Sequence, residues 1–477
     1  MQELNRLKIC TNFILKNSHR GEYLSDRFSV DSRRINDNQV FISLEPDMAK
    51  NFININHAIA RGASAFITPF CTTRKRIRTS IPFLILRDIK KIYVELFKSD
   101  LNNREPKTIT IGITGTNGKT STVLSLAQAL TYQNKKVGII SSEGAGIHPN
   151  LYENEYTTPP IDICYKYLRS FIKKKCDYVI IECSSQGLHQ GRLDGIHFTY
   201  SIITNIDQDH IDYHESLKNY IDSKLKILNQ SRTSILNFDS KNLKNIDHHK
   251  YKCKNIHYIS QNKLKEKKIM NIPSREKLSA LKNLNSYSLL MIFAVMRLEK
   301  FKIPMIFKSI INLNSIEGRR QIFSTSERGD FIIDYAHTVQ AFINIYKDFN
   351  INRNVCTLFG CGGDRDKSKR KKTAKIVDQF SSKIIITEDN SRTEKFETIL
   401  HDIMKGIKNL DKVKIIKSRK KAIKYMLQTS SSDQLNFILG KGNEDYILEN
   451  NKKIKHNDVI YLKNIISSYE YKTIKDC

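Results

Sequence analysis

Residues 110–120, Thr-Ile-Gly-Ile-Thr-Gly-Thr-Asn-Gly-Lys-Thr, constrain the fold more than any other stretch of the chain. An apolar run at 109–113 leads into closely spaced glycines and a lysine, and a helical pattern begins at Ser121. A strand, a glycine-rich loop and a helix N-terminus in this order surround phosphate groups with backbone N–H donors. The alternative is a strand-to-helix turn without a ligand, because Ile113 stands where the common phosphate-loop pattern has glycine.

Length and composition place the chain among globular, multidomain proteins. Its 477 residues are enough for about three domains, and a hydrophobic content of 40% is ordinary for proteins with buried cores. No apolar run approaches the length of about 18 residues that a transmembrane helix needs. The N-terminus lacks a signal-peptide pattern, and the nine cysteines are scattered. We therefore expect a cytoplasmic protein that is not integral to a membrane.

The net charge of +30 is compatible with two kinds of surface. It could attract nucleic acid or an anionic membrane, or it could be spread over a solvated surface. The lysines occur along the whole chain among many Asn and Ile residues, and no basic motif interleaved with aromatic residues is present. This distribution favours a diffuse surface and no specific nucleic-acid partner. A basic, nucleic-acid-dependent P-loop ATPase remains an alternative.

Short apolar runs alternate with helical patterns, which predicts an α/β fold with largely parallel sheets. We predict three domains: a small N-terminal α/β domain at 1–87, a central P-loop ATPase-like parallel-sheet domain at 88–317, and a C-terminal Rossmann-like domain at 318–477. Ligands of such sheets bind beyond the carboxyl ends of the strands. Polar residues at strand ends are therefore the candidate functional residues.

Three candidate functional residues follow the phosphate loop in the sequence. Glu182 ends an apolar strand and is suited to bind magnesium, although it could be a surface acid. His210 could be a metal ligand or a structural histidine. Lys224 lies four residues after Tyr220 on one helix face, and from the residues alone it is an ordinary helix lysine.

The last third of the chain places charged residues after four predicted strands. Arg365 and Arg392 could each bind a carboxylate through two N–H groups. Asp389 and Glu444 could receive an ammonium. Singly, each could form a loop salt bridge, but together they favour an amino-acid site facing the phosphate loop. In the first domain, Ser32 beside Arg33 could bind phosphate or form a polar turn.

These strand-end motifs resemble those of the Mur ligases, the ATP-dependent amide-forming enzymes of peptidoglycan precursor synthesis. The resemblance covers nearly the whole chain and is weakest before residue 88 and at 239–283. Some positions depart from the family pattern: Ser391 replaces proline, Gln186 and Asn443 replace histidine, Val339 replaces proline, and Ala49-Lys50 stands in place of an Asp-Gly pair. None of these departures removes a group that the chemistry requires.

The resemblance implies a UDP-sugar-binding first domain, an ATP-binding second domain and an amino-acid-binding third domain. The implied ATP-binding residues are Gly115, Thr116, Asn117, Gly118, Lys119, Thr120, Ser121, Asn285, Arg319 and Asp334. Two magnesium ions would be held by Thr120, Glu182, His210 and Lys224, the last as a carbamate formed with carbon dioxide. Lys119, Lys224, Glu182 and His210 would be the catalytic residues. The implied contacts to UDP-muramoyl-dipeptide come from Ser32, Thr157, Thr158, Ser184, Gln190 and Arg192.

The incoming amino acid would contact Arg365, Asp389, Asn390, Ser391, Arg392, Gly440 and Glu444. Family members that add meso-diaminopimelate carry Asp-Asn-Pro-Arg at the positions of 389–392, and the arginine is thought to bind the far carboxylate. The resemblance therefore implies a monomeric ligase that adds meso-diaminopimelate through an acyl phosphate intermediate. A lysine-adding ligase of the same family is the alternative.

Overall fold

A computed structural model of the chain describes residues 24–45, 47–69, 81–86, 89, 91, 93–95, 108–244, 246–261, 286–349 and 354–475. Three sheets built mainly of parallel strands organise these residues, with helices connecting the strands. The predicted α/β fold class is confirmed. The domain boundaries at 87/88 and 317/318 stay predictions, and residues 87 and 88 lie outside the described part.

The first sheet contains four parallel strands in chain order. Helix α1 connects the second strand to the third, and the Asp47 side chain caps its N-terminus by accepting from the Lys50 N–H. Phe41, Ile55 and Phe66 join the helix to the sheet in one apolar cluster. The bounds are β1 Phe28–Ser29, β2 Val40–Ile42, α1 Met48–Ala60, β3 Ala65–Pro69 and β4 Phe83–Leu86.

The second sheet has eight strands in the order β12-β11-β10-β5-β9-β6-β7-β8. The strands are β5 Ile109–Thr114, β6 Val137–Ser141, β7 Gly144–Ile147, β8 Asn150–Tyr152, β9 Tyr178–Glu182, β10 Phe198–Ile203, β11 Ser231–Asn237 and β12 Asn255–Ile259. Strands β7 and β8 add antiparallel pairs at one edge. The phosphate loop follows the central strand β5, and Glu182 ends its neighbour β9. The parallel pairing of these two strands brings their carboxyl ends together.

Helices cover both faces of this sheet. They are α2 Lys119–Tyr132, α3 Ile161–Lys173, α4 Ser185–Gln190, α5 Ile211–His214, α6 Leu217–Leu225, α7 Ser286–Leu298 and α8 Ile303–Ile311. Helix α7 is buried at every position from 288 to 296, as its continuous apolar pattern predicts. It packs with α2 in one apolar cluster, which anchors the helix that begins at the phosphate loop.

The third sheet has six strands in the order β13-β14-β18-β15-β16-β17, followed by a separate hairpin of β19 and β20. The bounds are β13 Gln321–Thr325, β14 Gly329–Asp334, α9 Val339–Asp348, β15 Val355–Phe359, α10 Ser368–Phe380, β16 Lys383–Ile386, α11 Phe396–Met404, β17 Val413–Ile415, α12 Arg419–Thr429, β18 Leu435–Leu439, β19 Tyr446–Glu449, β20 Lys452–Lys455 and α13 Asp458–Lys475. The four strands predicted here, β14, β15, β16 and β18, pair in parallel and end at one edge.

None of the helices in the described ranges is both long and apolar enough to cross a membrane.

Candidate active site

The phosphate loop connects β5 to α2 as the sequence predicts. Gly115 has a φ of +148° and Gly118 a φ of +81°, conformations that side chains disfavour. A Cβ atom on Gly115 would lie 1.9 Å from the Thr204 Oγ1 atom, so this position has room only for glycine. The loop runs directly into the N-terminus of α2, where backbone N–H groups are available to an anion.

Lys119 is the first residue of α2, and its side chain folds back over the loop. Its Nζ atom donates to the carbonyls of Gly115 and Thr116, both at 3.1 Å. Burial lowers the pKa of Lys119, while the charges of Glu182 and Asp209 act in the opposite direction. The Lys119 ammonium is on a flexible side chain, so it can leave these carbonyls and donate to phosphate oxygens instead.

A cavity of about 390 Å³ opens above this loop, between the second and third sheets. Its walls bring together most residues that were predicted to bind ATP and magnesium and two of those predicted to bind UDP-muramoyl-dipeptide. They include Thr116, Asn117, Gly118, Lys119, Thr120, Ser121, Thr157, Glu182, Ser184, His210, Lys224, Arg319 and Asp334. Gly115 does not line the cavity, but its carbonyl accepts hydrogen bonds from Lys119 and Lys224. Asn285 lies outside the described residues.

Glu182 is 2% exposed, which excludes the surface acid considered from the sequence. Its Oε1 atom accepts from the Thr120 hydroxyl at 3.0 Å. Its Oε2 atom accepts from the N–H and the hydroxyl of Ser142, both at 3.1 Å. A hydroxyl and a carboxylate beside a phosphate loop are the oxygen ligands that magnesium prefers. Their chemistry fits the ion, although the described residues contain no group of three or more His, Cys, Asp or Glu arranged as a metal site.

Lys224 is 1% exposed, so its interpretation as an ordinary helix lysine is wrong. Its Nζ atom donates to the Gly115 carbonyl at 2.7 Å and lies 4.7 Å from the centre of the Tyr220 ring. Burial and the nearby charge of Lys119 lower the pKa of Lys224 far below its ordinary value. Helical spacing correctly placed Tyr220 beside it but could not show that this face packs against the phosphate loop.

His210 lies in the same cavity and has a positive φ of 51°. Its Nδ1 atom is 3.3 Å from Gln186 Nε2, and its Nε2 atom is 3.5 Å from Asp209 Oδ2. Burial lowers the pKa of His210 to about 4, against the opposing charge of Asp209. A neutral imidazole can act as a metal ligand. Gln186 occupies the position where the family pattern has histidine, and it still contacts this ring.

Residues of the third sheet close the cavity from the other side. The Asn117 amide donates to the Thr338 hydroxyl at 2.9 Å, which connects the phosphate loop to the start of α9. The Asn443 amide donates to Glu143 at 2.6 Å. No role was predicted for Asn443 or Glu143, because their contact joins two loops that are far apart in the sequence.

One wall of the cavity is formed by the end of β14 and the residues that follow it. Asp334 is half-buried and accepts from the Arg320 N–H at 2.9 Å. Burial raises its pKa, and the charges of Arg320 and Arg319 oppose that rise. The Arg319 guanidinium lies 4.4 Å from the centre of the Tyr335 ring. Arg319 and Asp334 therefore line the same cavity as the phosphate loop, and their contact with the nucleotide stays a prediction.

A second cavity of about 150 Å³ adjoins the first and shares Asp209, His210, Tyr335 and His337 with it. It brings together six of the seven residues predicted for the amino acid: Arg365, Asp389, Asn390, Arg392, Gly440 and Glu444. Ser391 is buried and does not line this cavity. The predicted amino-acid residues therefore converge next to the predicted phosphate site.

The two arginines of this cavity are held differently. The Nη1 atom of Arg392 donates to the carbonyls of Gly363 at 2.6 Å and Asn390 at 3.2 Å. Its remaining N–H groups make no hydrogen bond to the described residues, so one side of the guanidinium stays available. Arg365 instead pairs with Asp212 of helix α5 at 2.9 Å.

Lys441 is a residue of this region to which the sequence analysis gave no role. It is fully buried behind the cavity wall, and its Nζ atom donates to Glu444 at 2.6 Å. Asp389 and Glu444 were expected to receive an ammonium, and part of that capacity is already used by Lys441. Its position between two glycines directly after a strand is the only sequence signal that could have indicated it.

The residues predicted for the UDP-muramoyl-dipeptide are divided between two cavities. Thr157 and Ser184 line the first, whereas Ser32, Gln190 and Arg192 line a third cavity of about 770 Å³ beside the first sheet. Thr158 connects the two regions from behind. Its hydroxyl donates to the Glu182 carbonyl, and its own carbonyl accepts from Arg192, both at 2.7 Å.

A phosphate-loop domain that faces a second domain across adjoining cavities, one of them lined by arginine and carboxylate side chains, is the arrangement expected of an ATP-dependent ligase. Residues 113–305 match the family described as Mur ligase middle domain, and residues 318–442 match the Mur ligase, glutamate ligase domain. A relative from Wigglesworthia glossinidia brevipalpis is 33% identical over 93% of this chain and 94% of its own. The chain therefore belongs to the Mur ligase family.

That relative is named UDP-N-acetylmuramoyl-L-alanyl-D-glutamate–2,6-diaminopimelate ligase. A solved structure of a protein with the same name has a TM-score of 0.61 and 25% identity, covering 93% of this chain and 95% of that one. The MurF ligase of Thermotoga maritima, solved with ADP, has a TM-score of 0.58 and 14% identity, covering 96% of this chain and all of that one. This last similarity concerns the fold alone.

Proposed function

We propose that this chain joins an amine of meso-diaminopimelate to the glutamate carboxylate of UDP-N-acetylmuramoyl-L-alanyl-D-glutamate, with conversion of ATP to ADP and phosphate. The observation that carries the proposal is the shared wall between the phosphate cavity and the cavity of Arg365, Asp389 and Arg392. An acyl group activated in the first cavity would be directly accessible to an amine held in the second. The names of the relatives supply the identity of the substrates.

In the first step, an oxygen of the substrate carboxylate attacks the γ-phosphorus of ATP, and the bond to the bridging oxygen of ADP breaks. Lys119 would exchange its carbonyl partners for phosphate oxygens and stabilise the charge that develops on the transferred group. The loop glycines and the N-terminus of α2 hold the remaining phosphates. The product of this step is an acyl phosphate.

In the second step, the amine attacks the acyl carbon, and inorganic phosphate leaves from the tetrahedral intermediate. The amine must be neutral to attack, so it loses a proton after binding. His337 lines both cavities and would accept this proton. The contacts of Asn117 with Thr338 and Asn443 with Glu143 keep the two domains together and exclude water, which would hydrolyse the acyl phosphate.

Magnesium belongs to this proposal because of the oxygen ligands beside the loop. Glu182 and His210, together with the Thr120 hydroxyl, would hold magnesium, and a carbamate on Lys224 would bind a second ion. When bound, the ions would neutralise phosphate charge and draw electrons from the γ-phosphorus. The buried amine of Lys224 is suited to carbamate formation because, among the described residues, no carboxylate forms an ion pair with it, and its hydrogen bond is to a carbonyl.

The third cavity would hold the uridine end of the second substrate. Ser32, Gln190 and Arg192 lie there, and Thr157 and Ser184 continue toward the phosphate loop. An extended nucleotide-sugar-peptide could therefore place its carboxylate near Lys119 while its base stays beside the first sheet. We also propose that the enzyme acts in the cytoplasm as a monomer.

The proposal is tested by measuring phosphate release and product mass. The protein is incubated with ATP, magnesium and UDP-muramoyl-dipeptide, together with meso-diaminopimelate, L-lysine or no amine. We expect release and a tripeptide product with diaminopimelate. Preference for lysine would contradict the substrate, and the absence of product with either amine would contradict the ligase. ATP hydrolysis that needs only added nucleic acid and decreases steeply with salt would favour the alternative ATPase.

A further inference from the structure

A lysine ammonium lies directly behind the wall of the predicted amino-acid pocket. Lys441 is 0% exposed and does not line the cavity, whereas Asp389, Asn390 and Glu444 do. Its Nζ atom donates to Glu444 Oε2 at 2.6 Å and to Asn390 Oδ1 at 3.1 Å. The Asp389 Oδ1 atom lies 3.7 Å away. One buried ammonium therefore contacts three of the side chains that face the substrate.

The three acceptors come from two separate loops. Asp389 and Asn390 follow β16, whereas Glu444 follows β18, so the contacts of Lys441 fix one loop against the other. Asn390 is further held by the Leu448 N–H, which donates to its Oδ1 at 2.8 Å, and its amide donates to Glu444 at 2.9 Å. Removal of the ammonium would leave Asn390 Oδ1 and Glu444 Oε2 with one donor each instead of two. It would also remove the positive charge between the Asp389 and Glu444 carboxylates, which weakens the contact between the loops.

The ammonium also determines the charge that the pocket offers. Burial acts to raise the pKa of Asp389, but the charges of Lys441 and then Arg419 outweigh it, and the pKa is lowered. Asp458 is the opposing charge on this residue, and Arg365 and Arg392 face it from the cavity. Lys441 balances one of the two carboxylate charges of Asp389 and Glu444, so this group of three side chains has one negative charge left for a substrate ammonium.

We propose that Lys441 is a positioning residue for the incoming amino acid, because it holds Asp389, Asn390 and Glu444 from behind the cavity wall. This inference rests on the proposed function, because the amino acid is its substrate. It concerns binding of the amino acid and not the transfer of phosphate, since Lys441 does not line the phosphate cavity.

The test compares Lys441→Met and Lys441→Arg in the full-length protein. Lys453→Met is the matched control, because both lysines contact the Tyr446 ring but Lys453 is exposed. We expect Lys441→Met to raise KM for diaminopimelate by about tenfold or more, with KM for ATP changed by less than about twofold. On the acidic side of the pH profile, the pH at which kcat/KM for the amino acid falls to half its maximum should rise by about one unit. Lys441→Arg should restore the pH profile, and Lys453→Met should behave as wild type.

A purely structural role would lower the active fraction equally for all substrates and leave the pH profile unchanged, and that result would overturn the inference. If Lys441→Met does not fold, Lys441→Gln keeps a hydrogen-bond donor without the charge, and it must show the same shift of the acidic limb. An unshifted limb in Lys441→Gln would also overturn the inference. A wild-type protein that forms no product would refute the proposed function itself, whereas an active wild type with an unchanged Lys441→Met would refute only the role of Lys441.

Discussion

Replacement of Arg392 should remove the discrimination between diaminopimelate and lysine. One side of its guanidinium is anchored through Nη1 to the carbonyls of Gly363 and Asn390, and the other side makes no hydrogen bond to the described residues. That free side has the geometry to bind the far carboxylate of diaminopimelate through two N–H groups. Lysine lacks this carboxylate and would leave the guanidinium unpaired.

The magnitude follows from two charge-assisted hydrogen bonds. At about 1.5 kcal/mol each, the low end of the range for charged groups, their loss amounts to about 3 kcal/mol, or about 150-fold in kcat/KM. We expect Arg392→Met to lower kcat/KM for diaminopimelate by this factor. The value for lysine should change only a few-fold, since lysine never formed the contact.

The assay measures amine-dependent phosphate release with both amines for wild type, Arg392→Met and Arg392→Lys. Residue 392 has a φ of 55°, so methionine and lysine meet the same backbone strain, and Arg392→Lys keeps the charge without the two-pronged contact. The lysine value also reports whether the pocket is intact. An unchanged ratio of the two kcat/KM values in Arg392→Met would refute this reasoning.

Three further predictions concern catalysis and stability. Lys119→Ala should lower phosphate release by about a thousandfold or more, and a near-normal rate would contradict its role at the phosphates. Arg419→Met leaves the Asp458 carboxylate buried without the guanidinium that contacts it at 2.6 Å, so urea unfolding should show a loss of about 3–5 kcal/mol, whereas less than about 1 kcal/mol would contradict the pairing. The hydrogen bond from Arg370 lowers the pKa of Glu394 from 4.5 to about 2. The stability that ionised Glu394 adds is therefore present above pH 4.5 and lost as the pH falls toward 2. Over that range the difference in unfolding free energy between wild type and Glu394→Gln should decrease. A constant difference would contradict this prediction.

The sequence was sufficient to predict the elements that carry the site. The phosphate loop has a local pattern, because glycine spacing and the following helix are encoded within about a dozen residues. Strand ends such as Asp334 and Asp389 were predicted to lie together because parallel strands end at one edge of a sheet. The resemblance then assigned roles, and those roles stay predictions until ligands are measured.

Burial could not be predicted at single lysines in this lysine-rich chain. Lys224 and Lys441 have the same local signal as exposed lysines, and only packing between distant segments separates them. The edge strands β13 and β17 and the antiparallel β7 and β8 were also missed. Edge strands contact one neighbour and need less apolar sequence, so their pattern is weak.

The most direct test of the central claim follows an oxygen atom. UDP-muramoyl-dipeptide labelled with ¹⁸O in the glutamate carboxylate is incubated with ATP, magnesium and meso-diaminopimelate, and the released phosphate is analysed by mass spectrometry. Because the carboxylate attacks the γ-phosphorus and phosphate later leaves with that oxygen, each turnover should transfer one labelled oxygen to phosphate. Tripeptide formation with unlabelled phosphate would contradict the acyl phosphate route, and labelled phosphate released equally without diaminopimelate would contradict the ligase.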